Sequence, residues 1–326
     1  MNPLIEVNNL STYFESGAGT VKAVDDITFR IHEGETVCIV GESGCGKSIT
    51  AMSIMGLVEG PHGKVVSGQI RFGDKDLLKI SKEEMRRIRG NDISIIFQEP
   101  MSSLNPVITI GRQIMEPLML HQKLNKKQAY VRALELIELV GIPRAEQIAA
   151  SYPHQLSGGM LQRIMIAMAI SCGPKLLIAD EPTTALDVTI QAQVLETLRQ
   201  SKEQSNMSIM LITHDLGVVA EMADYVIVMY AGKIVEEGDV EELFERPKHP
   251  YTRGLLKSKP VIGQRTEQLY SIPGQVPSPF ELSESCYFHD RCEKCIPICR
   301  TRQPQLKEVE SGHRAACWLY EEEAEA

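Results

Sequence analysis

The stretch GESGCGKS at residues 41–48 decides the fold, because of what stands on either side of it. Before it lies TVCIV (36–40), a short β-branched apolar run that reads as a buried parallel strand. After it comes SITAMSIMGLV (48–58), which reads as a helix. Strand, glycine-rich loop and helix fit the spacing G-x-x-x-x-G-K-[ST]. The glycines allow backbone N–H groups to curl around phosphate oxygens, and the helix start adds positive partial charge. Gly41, Ser43, Gly44, Cys45, Gly46, Lys47, Ser48 and Ile49 are the candidate phosphate contacts. Lys47 is expected to reach the β- and γ-phosphates, and the Ser48 hydroxyl to ligate Mg²⁺.

Working outward, LLIADEP (176–182) is an apolar strand that ends in adjacent carboxylates. That placement sets Asp180 at the carboxyl edge of the sheet, where it can hold Mg²⁺ directly or through water. Glu181 then stands where attacking water would be polarised, as general base or as its positioning group. A third motif, LSGGM (156–160), opens the apolar helix LQRIMIAMAI (161–170). Ser157 and the N–H groups of Gly158 and Gly159 form a second anion site at a helix start. Two phosphate-binding helix ends for one nucleotide suggest two copies facing each other.

With this third motif the sequence resembles the ABC ATPase family, whose signature is usually written L-S-G-G-Q. The resemblance implies an α/β P-loop NTPase cassette: a RecA-like parallel sheet core, an antiparallel β-subdomain and a helical signature subdomain. It also assigns further roles. Gln98 in IIFQEP looks like the Q-loop glutamine that contacts Mg²⁺ or water; ALD (185–187) resembles the D-loop at the dimer interface. His214, after SIMLIT (208–213), resembles the switch histidine on the γ-phosphate. Lys47, Gln98, Glu181 and His214 are thus the expected catalytic set, and Ser48, Gln98 and Asp180 the expected Mg²⁺ ligands. Phe14 resembles the aromatic residue that stacks on adenine, with Tyr13 as its competitor.

The resemblance narrows on FQEPMSSLNP (97–106), YPHQLSGGM (152–160), ADEPTTALDVTIQAQ (179–193) and HPYTRGLL (249–256). These look like the ATPase subunits of dipeptide and oligopeptide importers, from Leu4 to about Tyr320. Met160 is usual in that subfamily; Leu161, where an arginine often stands, is a small departure. The implied partners are a second ATPase subunit, commonly a related one in a heterodimer, and two transmembrane permease subunits. An extracytoplasmic substrate-binding protein joins them indirectly. Import of nickel or another small solute, or a soluble ABC ATPase of DNA repair or translation, are the competing readings. The second usually shows paired cassettes or long insertions, neither of which stands here.

Bulk properties agree with this picture. The chain has 326 residues, 43% hydrophobic and 24% charged, which is ordinary globular composition. Its formal net charge of −9 argues against nucleic acid as a partner. MNPLIEVNNL (1–10) lacks the basic start and apolar run of a signal peptide, and no window approaches the ~18–20 apolar residues of a membrane span. The expected location is therefore the cytoplasmic face of the membrane, held peripherally through partners.

Strand-like LIEVNNL (4–10) and AVDDITFRI (23–31) precede the loop, with a turn at Gly34 and Glu35. Helical periodicity runs from about Gln98 to Pro153, with QAYVRALELIELVGI (128–142) a clear amphipathic helix. KLLIAD (175–180), SIMLITHD (208–215) and YVIVMYAG (225–232) restore strand character, the first two separated by the helix-like IQAQVLETLRQSKEQ (190–204). Residues 1–245 are expected to form the cassette, with its helical subdomain at about 99–165. Residues 246–326 are expected to form a proline-rich linker and a small cysteine-rich lobe held by something other than a hydrophobic core, ending in a frayed EEEAEA (321–326).

Five of the eight cysteines crowd that tail as C-x5-C-x2-C-x3-C-x17-C. In a reduced compartment such a cluster suggests metal binding over disulfides. Similar importer ATPases carry cysteines corresponding to Cys286, Cys292, Cys299 and Cys317, thought to hold an iron–sulfur cluster. A [4Fe–4S] cluster or Zn²⁺ suits four thiolates, and Cys295 is a rival ligand. The cluster is expected to be structural, its ligands lying far along the chain from the nucleotide motifs.

Overall fold

In the computed structural model TVCIV forms the strand Thr36–Val40 over its whole length, with all five residues buried. Val37 and Ile39 are wholly inaccessible, and burying such side chains contributes about 1.5–3 kcal/mol each. The structure describes residues 3–17, 19–58, 60, 63–184, 186–258 and 270–321. Ala185 of the expected D-loop and residues 322–326 of the acidic end lie outside the described residues.

Packing divides the chain into two units interleaved along the sequence. One contains Ile31–Thr36 and Lys79–Ile212 with the start of the chain. Its strands Ser208–Ile212, Leu176–Asp180 and Ile93–Ile96 lie side by side in parallel, Ile93 opposite Leu176 and Leu176 opposite Ser208. The middle strand is buried at every position, as a parallel strand covered on both faces must be. Helices Ile110–His121, Lys126–Leu139, Ala145–Ala150 and Gly158–Ile170 belong to the same unit. Asn125 caps the second of these by accepting from the Lys127 and Gln128 N–H groups, while Gln128 completes a capping box.

The other unit contains Ile5–Arg30, Val37–Leu78 and the chain from Thr213 onward. Strands Pro3–Ser16 and Gly63–Phe72 pair antiparallel from Ile5 opposite Phe72 to Phe14 opposite Gly63. Gly19–His32 and Lys75–Asp76 flank them in a four-stranded sheet. Residues 37–40 pair in parallel with Tyr225–Tyr230. That strand turns through Ala231 and Gly232, both at positive φ, into the antiparallel Lys233–Asp239.

The tail departs from expectation. Its strand His313–Ala315 pairs with Lys233–Asp239, Glu236 opposite Ala315, and Lys307–Glu310 adds a further strand. The segment does share a hydrophobic core. Phe288 and Trp318 are each 3% exposed, and the Phe288 ring lies 5.3 Å from Tyr230 and 5.5 Å from Tyr251. The fully buried Glu236 accepts from the Lys248 and His249 N–H groups and pairs with His313 Nε2 at 2.7 Å. A buried carboxylate so surrounded ties three chain segments together.

Candidate functional site

The phosphate loop bridges the strand Thr36–Val40 and the helix Lys47–Ile54. Its three glycines take positive φ: 152° at Gly41, 80° at Gly44 and 104° at Gly46. Two of them have no steric alternative. A Cβ on Gly41 would stand 2.2 Å from the Met229 carbonyl oxygen, and one on Gly46 2.4 Å from that of Ala23. The Gly232 N–H donates to the Cys45 carbonyl at 3.0 Å, fixing the loop from the far side. Ser43 and Gly44 form its exposed tip, with Ser48 and Ile49 half-buried at the helix start.

Lys47 is 7% exposed, and its Nζ donates to the carbonyls of Gly41 at 2.8 Å and Glu42 at 3.1 Å. A buried ammonium satisfied by its own loop is oriented before any ligand arrives. Burial pushes the neighbouring Cys45 thiol up, against the opposing pull of Lys47. Cys45 is 1% exposed and packs within the loop.

In the strand Pro3–Ser16, Tyr13 and Phe14 are both half-buried. The Tyr13 hydroxyl donates to Asp25 Oδ1 at 2.7 Å, and burial with that bond pushes it up to about 12. Phe14 instead lies against Gly63, where a Cβ would come within 2.5 Å of its ring. The Tyr13 hydroxyl is thus bonded to Asp25, and the Phe14 ring is packed on Gly63.

In the first unit, Asp180 ends its strand 6% exposed. Glu181 follows at φ 49°, a conformation costing a non-glycine residue about 1–3 kcal/mol. Its N–H donates to the Ile212 carbonyl at 2.9 Å. Its Oε2 accepts from Gln98 Nε2 at 3.0 Å and from Thr184 Oγ1 at 2.8 Å. Two residues expected at the site, Gln98 and Glu181, are thus brought into direct contact. Thr184 was not a candidate; the Glu-Pro-Thr-Thr turn, closed by its N–H on the Glu181 carbonyl at 3.2 Å, is the signal that places it.

Ser157 caps the helix Gly158–Ile170, its side chain accepting from the Met160 N–H. Nothing within 4 Å would oppose a Cβ on Gly158, and one on Gly159 would meet Ile190 at an ordinary 3.6 Å. Packing inside the chain does not demand glycine there. Leu161 is buried among core residues of that helix, which accommodates the departure at this position. Asp187 caps the helix Val188–Ser205 through the Ile190 N–H at 2.9 Å. His214, in the second unit, is exposed between Thr213 and Asp215, whose side chain caps the helix Leu216–Met222.

The tail cysteines lie on short turns, with the Cys286 N–H donating to the Cys299 carbonyl at 2.9 Å. Burial pushes Cys286 up to about 12 and Cys317 up to about 11, with neighbouring thiols adding to both shifts. Cys292, Cys299 and Cys317 all act on Cys286, while Cys295 acts on Cys292. Among the described residues, the group whose metal-ligating atoms gather within 4.8 Å is Glu242, Glu310 and His313, not the cysteines. Arg246 and Lys248 already pair with those two carboxylates.

The tail also reaches the phosphate loop, which separation along the chain concealed. Arg291, next to Cys292, holds the Glu42 carboxylate with both terminal nitrogens, at 2.7 and 2.9 Å. The Glu42 N–H donates to the Tyr251 hydroxyl at 2.8 Å.

Residues 24–184 match the family model described as "ABC transporter", and residues 235–299 match "Oligopeptide/dipeptide transporter, C-terminal region". A dimeric ABC transporter cassette, MJ0796, superposes with a TM-score of 0.64 at 28% identity, covering 72% of this chain and 98% of that one. Its post-hydrolysis dimer bound to ADP and Pi gives 0.66 at 27% identity, with the same coverage. Fold and loop therefore define a P-loop cassette of the ABC class, with a mixed sheet. The oligopeptide transport ATP-binding protein AppD of Bacillus subtilis is 57% identical over 99% of this chain and 98% of its own length. The dipeptide transport ATP-binding protein DppD of Escherichia coli is 48% identical over 96% of each. The chain belongs to the family of ATP-binding proteins of oligopeptide and dipeptide ABC transporters.

Proposed function

We propose that this chain binds and hydrolyses ATP as a motor subunit of an ABC importer that carries oligopeptides or dipeptides across the cytoplasmic membrane. The supporting observation is the buried Lys47 ammonium, held by loop carbonyls in a backbone that only glycine permits at Gly41 and Gly46. Lys47 neutralises the β- and γ-phosphates, and loop N–H groups with the helix start hold the remaining oxygens. Phe14 offers its ring to the adenine. Ser48, Asp180 and Gln98 would supply oxygen ligands to Mg²⁺, whose charge would offset that of the phosphates in the transition state. Glu181 orients the attacking water and accepts its proton, and His214 stabilises the γ-phosphate.

Ser157, Gly158 and Gly159 cap the nucleotide of a facing ATPase subunit. Glycines that their own chain does not require leave room for a phosphate to approach the helix start closely. Pairing with a second, non-identical ATPase is the finer reading and rests on the subfamily resemblance. Among the described residues no helix is long and apolar enough to cross a membrane. Peripheral attachment to two permease subunits at the cytoplasmic face supplies the link to transport. Residues 1–245 form the motor and 246–326 its appended segment; the relatives' names favour peptides over nickel as cargo.

Ser157→Arg tests the facing-subunit role, because a bulky cation at the helix start blocks phosphate approach. ATP binding to the isolated chain stays within about twofold, while ATP-driven dimerisation and turnover fall at least about 100-fold. Turnover at the parent rate would overturn the assignment.

The tail thiols of Cys286, Cys292, Cys299 and Cys317 are the proposed seat of a [4Fe–4S] cluster, with Zn²⁺ as the alternative. Burial pushes the Cys286, Cys292 and Cys317 thiols up, with neighbouring thiols adding to each shift, and a metal centre would take such a cluster as thiolates. Cys295, more exposed than these, is the spare ligand. Protein prepared without oxygen is expected to be brown and to contain iron and sulfide in equal amounts, both lost in Cys299→Ser. Stoichiometric zinc in their place would overturn the cluster alone.

A further inference from the structure

The cysteine-bearing tail grips the phosphate loop at its entry and bonds the strand that backs its exit. At the entry, Arg291 forks over both oxygens of Glu42, and its Nη1 also donates to the Tyr230 hydroxyl at 3.2 Å. Glu42 follows Gly41, and Tyr230 follows Met229, whose carbonyl sets the close approach to Gly41. One guanidinium therefore clamps both sides of the tightest contact in the loop. At the exit, the Tyr287 hydroxyl donates to Asp25 Oδ2 at 3.3 Å. Asp25 lies two residues after Ala23, whose carbonyl backs Gly46, and pairs with Lys233 at 3.0 Å.

Arg291 is itself fully engaged. Its side chain is 6% exposed; Nε donates to the Pro273 carbonyl at 3.0 Å, and Cζ lies 5.7 and 5.8 Å from the centres of the Tyr230 and Phe288 rings. A planar fork so packed has little freedom, so it fixes where the Glu42 carboxylate points. That carboxylate is 27% exposed and belongs to the loop that receives the most negatively charged part of the ligand. Without its partner it would be a mobile anion beside phosphates.

We propose that Arg291 is a positioning residue for ATP binding: by neutralising and anchoring Glu42 it holds the phosphate loop receptive, which makes the cysteine-bearing tail a determinant of nucleotide affinity. The inference rests on the reading of residues 41–48 as the ATP phosphate site. It differs from a plain structural tether in one respect. A tether fails whenever Arg291 is lost, whereas an unneutralised anion is cured by removing the anion.

Three full-length variants separate these cases, with ATP affinity and the kcat-against-KM split as readouts and melting temperature as the folding control. Arg291→Met is expected to raise the Kd and KM for ATP about tenfold, some 1.4 kcal/mol, with kcat changed less than about threefold. Glu42→Gln alone is expected to stay within about threefold, since an amide still accepts from Arg291. Arg291→Met with Glu42→Gln is expected to recover most of the lost affinity. If Arg291→Met does not fold, Arg291→Lys replaces it, with a loss of about threefold that Glu42→Gln again reverses. Unchanged affinity in the Arg291 variant, or a loss that Glu42→Gln leaves in place, overturns the proposal. Lys47→Ala in the same assay distinguishes the two failures: normal ATP binding there would remove the phosphate site itself.

Discussion

Glu181→Gln leaves ATP bound and unhydrolysed: turnover falls by about 10²–10⁴-fold, the range contributed by a positioned general base, while ATP affinity stays near that of the parent. The substitution isolates proton acceptance because it preserves shape. An amide oxygen at the Oε2 position still accepts from Gln98 Nε2 or Thr184 Oγ1, which bond the glutamate at 3.0 and 2.8 Å. The left-handed backbone at φ 49° is unaffected, since glutamine meets the same local cost. With water no longer activated, closed dimers should accumulate in ATP and Mg²⁺ and elute as dimers by size exclusion. Turnover within about twofold of the parent would show that the water is activated elsewhere. A monomer in ATP would instead remove the facing-subunit arrangement.

What the sequence discloses here is whatever is local. TVCIV is legible as a strand because five consecutive apolar residues are all buried and the run ends at a glycine. The loop after it follows from glycines that steric contact makes obligatory. Gly63–Phe72 is hard to read, because its pairing with Pro3–Ser16 is shifted between Asn8 and Thr12, and Gly68 at φ 109° interrupts the alternation. The tail strands, KEVE and HRA, carry no apolar pattern at all; pairing makes them strands, HRA with Lys233–Asp239 and KEVE with HRA. That Asp25 takes the Tyr13 hydroxyl while Gly63 packs on the Phe14 ring is likewise not legible in the sequence. Arg291 and Glu42 stand 249 positions apart, and no spacing rule connects them. Distance along the chain is therefore no guide to distance in the fold for this pair.

Lys47→Ala should weaken ATP binding itself, raising Kd about 30- to several-thousand-fold, the 2–5 kcal/mol lost when one partner of a buried charged contact is truncated. Two effects of the substitution must be told apart. Without the ammonium, the carbonyls of Gly41 and Glu42 lose their donor, which costs the fold about 1–3 kcal/mol and lowers the melting temperature. Affinity is therefore measured well below that melting point, where the variant is folded. The remaining loss is electrostatic and falls on the β- and γ-phosphates, so discrimination between ATP and AMP should shrink along with affinity for ATP. Adenine contacts are unchanged, and AMP affinity should move by less than about threefold. Equal loss for ATP and AMP would mean that Lys47 only scaffolds its loop; no loss for either would place the phosphates elsewhere. The geometry favours a selective loss, because Lys47 is held by two carbonyls of the loop that curls around the ligand, and an ammonium so placed meets phosphate oxygens without first being drawn out of water.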